Sequence, residues 1–202
     1  MRKAECENAR LIYYKGGRYE MNARDLGYIS LSTALITVSA WICLPVGEVP
    51  VTLQTAMIAL TAGLLGFKRG TLAVIAYLLL GFIGVPVFAG FTGGAGKLLS
   101  PAGGYIVGFL PLAICVGIAS DFLKNKGKGR VLRLCLATAV GLLLCYFLGT
   151  AWFVILSYQN SVKTGIWTAL TVCVIPYLPF DVLKIALASY LTEKLSKFIK
   201  TA

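Results

Sequence analysis

The sequence has 202 residues, 58% of them hydrophobic and 13% charged, with 19 Lys and Arg against 8 Asp and Glu for a formal charge of +11. Soluble domains run at roughly 45–50% apolar and about 25% charged residues, so this composition excludes an ordinary soluble protein and points to one held in a membrane. At about 20 apolar residues per crossing there is room for one bundle of roughly six or seven spans and none for a second soluble domain.

Residues 1–25 are polar and basic (Arg2, Lys3, Arg10, Lys15, Arg18, Arg24) and contain no continuous apolar core. Such a stretch is unlike a cleavable secretory signal and predicts a solvated cytoplasmic extension. Apolar runs follow at about 26–44, 51–67, 71–88, 104–122, 131–156 and 177–198. They predict an all-α integral membrane protein, a six-transmembrane-helix bundle occupying residues 26–199. The run 165–175 is too short for a crossing and stops at Pro176 and Pro179, which suits an interfacial or re-entrant helix.

Short cytoplasmic loops carry most Lys and Arg in membrane proteins. With both termini cytoplasmic, the inner side receives the basic extension, Lys68 and Arg69, then Lys124, Lys126, Lys128, Arg130 and Arg133, then Lys194, Lys197 and Lys200. Lys97 and Lys163 fall outside. A seventh crossing would move the C-terminal lysines to the outer face, so the charge pattern favours six. The basic residues lie between apolar runs and not on one groove-reading element, so no nucleic acid is expected as a partner; the lipid bilayer is.

The outer loops are irregular: Pro45-Val-Gly-Glu-Val-Pro50, the glycine-rich connection 84–104, and 157–179. Irregular backbone at membrane depth is tolerated where it is buried in protein or lines a cavity, which marks the outer face as the binding face. Thr52 and Gln54 open the second span from that side, where an amide offers a donor and an acceptor either to a polar solute or to a neighbouring helix. The stretch from Pro86 to Lys97 contains Phe88, Gly90 and Gly93, which would lay backbone and an aromatic ring against a ligand.

Asp181 and Lys184 stand three apart at the head of the last apolar run and therefore share a helix face. Charges inside a membrane are expensive and mark functional positions, so the pair reads as a polar anchor for a ligand; a self-neutralising structural ion pair is the alternative. In the first span Ser30 and Ala34, together with Ala40, set small residues at about one-turn spacing, suited to packing within the bundle or to partner docking.

Enzymatic chemistry finds no support. There is no histidine, no carboxylate cluster and no nucleophile with an evident base. The six cysteines are scattered singly without metal-ligand spacing, so no metal and no catalytic residue is expected. Gly96-Lys97 fails as a P-loop, because Phe91 stands where the first glycine is needed and Leu98 where Ser or Thr is needed.

Four segments, in order, resemble the BioY family: Val49-Pro-Val-Thr-Leu-Gln-Thr55, Gly84-Val-Pro-Val-Phe-Ala-Gly90, Ser100-Pro-Ala-Gly-Gly-Tyr-Ile-Val-Gly-Phe109 and Leu178-Pro-Phe-Asp-Val-Leu-Lys184. Two positions depart from that family's pattern: Ser100-Pro-Ala replaces Gly-Pro-Thr, and Phe91 replaces a glycine. The resemblance implies a multi-pass protein of the bacterial cell membrane, the biotin-binding S-component of an energy-coupling factor (ECF) transporter. It implies partnership with a transmembrane coupling protein and two cytoplasmic ATPase subunits, which hydrolyse ATP in place of this chain; no cofactor is expected. It also implies that Asp181 and Lys184 contact biotin, with Gln54 and the glycine-rich loop in or over the pocket. A carboxylate such as Asp181 accepts from ureido N–H groups, Lys184 donates to the ureido carbonyl, and Lys97 suits the ligand carboxylate. Phe88, Tyr105 and Trp152 would supply apolar walls. Alternatives are an S-component for another vitamin, such as riboflavin or thiamine, or a non-transporting membrane assembly protein.

Overall fold

A computed structural model describes residues 21–44, 50–123, 129–159, 167, 171 and 174–199. The basic extension up to residue 20, residues 45–49, Lys124, Lys126, Lys128, Lys163, Lys200 and most of the run 165–175 lie outside the described residues.

The described residues begin with α1 (Ala23–Trp41), then β1 (Cys43–Leu44) pairs antiparallel with β2 (Val51–Thr52), Cys43 opposite Thr52. Next come α2 (Gln54–Phe82), a short α3 (Ala95–Leu98), α4 (Gly103–Leu123) and α5 (Arg130–Gln159). A 3-10 turn (Ile175–Tyr177) leads into α6 (Leu178–Ile199). Pro176 and Pro179 fall in and just after that turn, where a fixed φ and a missing N–H suit a helix start.

α2 is one element by hydrogen bonding but two by direction. In a straight helix Gln54 and Tyr77 would lie about 34 Å apart. Instead the Gln54 amide donates to the Tyr77 hydroxyl. The chain doubles back at Gly66, whose φ of 79° and ψ of −175° belong to a region that side chains other than glycine's do not adopt without strain. Asp121, near the end of α4, accepts the Phe67 N–H at 2.8 Å and so caps the returning arm. The apolar runs read at about 51–67 and 71–88 correspond to these two arms, 54–65 and 67–82.

α1 packs on α2, α4 lies between α2 and α5, and α6 rests on α2 and α5. Asp25 pairs with Arg69 at 2.7 Å beside the Gly66 turn, at the opposite end of the bundle from Gln54 and Asp181. Small residues let the helices approach closely: the backbone of Ala62 would meet a side chain at Gly70, and the ring of Tyr105 one at Gly149.

The distribution of polarity is inverted relative to a protein in water. Leu31, Leu79, Phe82, Phe122, Phe147 and Leu183 face outward, whereas Ser32, Thr33, Thr37, Ser39, Thr138 and Thr192 are buried. The inward hydroxyls of Thr33, Thr37, Thr138 and Thr192 donate to carbonyls one turn back at 2.7–2.9 Å, which satisfies them without water. Among the described residues three helices are long and apolar enough to cross a membrane: α2, α4 and α5. α1 is diluted by its serines and threonines, and α6 carries Asp181, Lys184, Glu193 and Lys194. The core is formed by residues such as Ile36, Ile58, Val74, Tyr77, Phe88 and Leu112.

Candidate ligand site

A cavity with ≈ 480 Å³ of empty space, including its open mouth, lies where the start of α2 meets α4, α5 and α6. β2 and α2 contribute Thr52 and Thr55, α4 contributes Tyr105 and Phe109, α5 contributes Leu142, Cys145 and Tyr146, and α6 with its leading turn contributes Tyr177, Asp181 and Lys184. The lining is mostly apolar with few polar anchors, the usual make-up of a small-molecule site.

The anchors have defined geometry. Asp181 lies in the first turn of α6, where the helix dipole favours a carboxylate. Lys184 Nζ donates to Asp181 Oδ1 at 3.0 Å, and both side chains are nearly buried, at 12% and 8% exposure. The Tyr146 hydroxyl donates to Asp181 Oδ2 from α5. Tyr146 is itself met edge-on by Tyr105, with ring centroids 6.3 Å apart. The result is a charge-assisted donor beside an acceptor, fixed from two helices.

A second polar chain runs behind this wall. The Thr52 hydroxyl donates to Gln54 Oε1 at 3.2 Å, Gln54 Nε2 donates to the Tyr77 hydroxyl, and that hydroxyl donates to the Val87 carbonyl at 3.2 Å. Both ends of the Gln54 amide are therefore occupied within the protein, and its burial leaves it supporting Thr52 at the cavity edge.

These features invite comparison with known proteins, and residues 13–201 match the BioY family. The chain belongs to the BioY family. It is 40% identical over 175 residues to the biotin transporter BioY of Thermotoga maritima, covering 86% of this chain and 96% of that protein. It is 35% identical to the probable biotin transporter BioY of Pyrococcus horikoshii, covering 87% of this chain and 98% of that one. A crystal structure of the S-component for biotin from an ECF-type ABC transporter superposes with a TM-score of 0.72 at 30% identity, over 88% of this chain and 95% of that one. The family is one of transporters and not of enzymes.

Within this chain the residues singled out from sequence separate into groups. Thr52, Tyr105, Asp181 and Lys184 converge on the cavity. Gln54 sits one layer behind. Phe88 is 1% exposed and packs edge-on against Tyr77 at 5.5 Å, so it forms the root of the glycine-rich loop and not the cavity wall. Gly90 takes a φ of 71°, and Gly93 packs against the Val85 carbonyl; they shape the loop between α2 and α3. Lys97 lies in α3, half-buried and outside the cavity lining. Trp152 donates from its ring nitrogen to the Ser100 carbonyl at 3.2 Å, which fastens α5 to the turn before α4.

Ser30 and Ala34 lie on the exposed face of α1 with Leu31 and Leu35, far from the anchors, whereas Ala40 is turned into the bundle. The small-residue series of α1 is thus split between two faces. Sequence reasoning missed Tyr146, Thr55 and Tyr177. The signal for Tyr146 was a hydroxyl placed in the middle of an apolar run, which has to find a partner.

Proposed function

We propose that this chain captures biotin as the S-component of an ECF-type transporter and delivers it inward with a transmembrane coupling protein and two ATPase subunits. The observation that carries this reading is the nearly buried Asp181–Lys184 pair lining a mostly apolar cavity in a chain of the BioY family. Asp181 accepts a ureido N–H, Lys184 donates to the ureido carbonyl, and Tyr105 and Phe109 flank the apolar ring system. Thr52, steadied by Gln54, borders the ligand. Lys97 meets the carboxylate end as the loop carrying Gly90 and Gly93 comes down over the site, with Phe88 and Trp152 holding that loop and its neighbouring turn in place.

In this reading the chain crosses the bacterial plasma membrane six times, as α1, the two arms of α2, α4, α5 and α6. Both termini and the basic extension 1–25 are cytoplasmic, and residues 26–199 form the binding domain. The positive-inside distribution of Lys and Arg supports that orientation. The exposed Ser30–Ala34 face of α1 is the docking surface for the coupling protein. No cofactor takes part.

The decisive experiment is equilibrium binding of biotin to the detergent-purified chain, with riboflavin and thiamine as competitors. Selective biotin binding is expected. A folded sample that binds riboflavin or thiamine in its place, or none of the three, would sink the reading.

A further inference from the structure

The Asp181 carboxylate is held from two sides. Lys184, one turn along the same helix, donates to Oδ1 at 3.0 Å, and Tyr146 of α5 donates to Oδ2. An ionised carboxylate offers about four lone-pair sites, and among the described residues each oxygen has one donor, which leaves one site on each for a ligand. The two protein donors differ in stiffness. The ammonium of Lys184 rides on a flexible four-carbon stem and follows the carboxylate wherever it rotates. The terminal torsion of an aspartate is broad, so Lys184 alone does not fix the carboxylate plane. Tyr146 has only two side-chain torsions, its ring is packed edge-on by Tyr105, and it springs from a different helix.

We infer that Tyr146 is a positioning residue of the binding site: its hydroxyl sets the plane of the Asp181 carboxylate so that Oδ1 and the Lys184 ammonium stand as an acceptor beside a donor. That arrangement complements one edge of a cyclic urea, where an N–H lies beside a carbonyl. The inference rests on the biotin reading above and adds to it a residue that recognises the ligand through Asp181 without having to touch it.

The test measures biotin affinity and biotin-free thermal stability for Tyr146→Phe. Thr138→Val serves as the comparison, since it deletes another buried hydroxyl of α5 away from the cavity. Tyr146→Phe is expected to weaken biotin binding at least tenfold, and Thr138→Val less than threefold, with both variants folded. In an Asp181→Asn background, adding Tyr146→Phe should change affinity less than threefold, because the group it positions is no longer a carboxylate. Wild-type affinity in Tyr146→Phe, equal losses in both hydroxyl deletions, or the same loss with and without Asp181 would overturn the inference while leaving biotin capture intact. Failure of the wild-type chain to bind biotin would remove the biotin reading and this inference together.

Discussion

Gln54 donates through its amide to the hydroxyl of Tyr77, a residue 23 positions further along the chain and on the returning arm of the same helical element. That hydroxyl passes a hydrogen bond on to the Val87 carbonyl, so one phenol joins both arms to the root of the glycine-rich loop. Tyr77→Phe leaves the buried Gln54 amide and the Val87 carbonyl without this partner. A lost buried hydrogen bond of this kind costs about 1–3 kcal/mol. The variant should unfold several degrees earlier in detergent while still binding biotin, and thermal unfolding with and without biotin checks both halves.

Asp181→Ala and Lys184→Ala each strip one member from a nearly buried ion pair and leave the other uncompensated, at a cost of about 3–5 kcal/mol. Biotin affinity should fall by roughly two to three orders of magnitude in either variant. Isothermal titration on folded, monodisperse samples is the check, and unchanged affinity in both would remove these residues from the site.

Lys97 is half-buried on α3, apart from the central anchors. Ion pairs still open to solvent on one side are worth about 1 kcal/mol or less, so Lys97→Ala should weaken biotin less than about fivefold. The effect should disappear when biotin methyl ester replaces biotin, because the ester carries no charge for Lys97 to meet. An equal loss for acid and ester would refute the assignment.

Ala34→Trp places a large ring on the outward face of α1, away from the cavity. The isolated variant should bind biotin as tightly as the wild type, whereas uptake into cells supplying the coupling protein and ATPases should be lost. Normal uptake would show that this face is not the docking surface.

Much of this architecture is legible in the sequence. Apolar runs separated by basic residues announced the helices, since lipid rewards an uninterrupted apolar exterior. Asp181 and Lys184 stood out because charges in such runs are rare. Other parts depended on packing that one sequence does not display. The exact point of reversal in α2 follows from Asp121, 54 residues on, capping Phe67. Phe88 was expected over a ligand, yet Gly81 opens a hollow beside its ring and Tyr77 closes on it. Tyr146 stayed hidden for a related reason: a tyrosine in an apolar run looks like core until the carboxylate it meets on another helix is known.

Trp41, the last residue of α1, stacks on Phe91 with ring centroids 4.8 Å apart and donates to the Pro86 carbonyl at 3.0 Å. Phe91 holds a left-handed backbone, with φ of 57°, in the loop that follows α2. The first helix and that loop are therefore geared to one another through two teeth. A change in the tilt of α1 would therefore have to break both contacts or carry Phe91 and Pro86 along with Trp41.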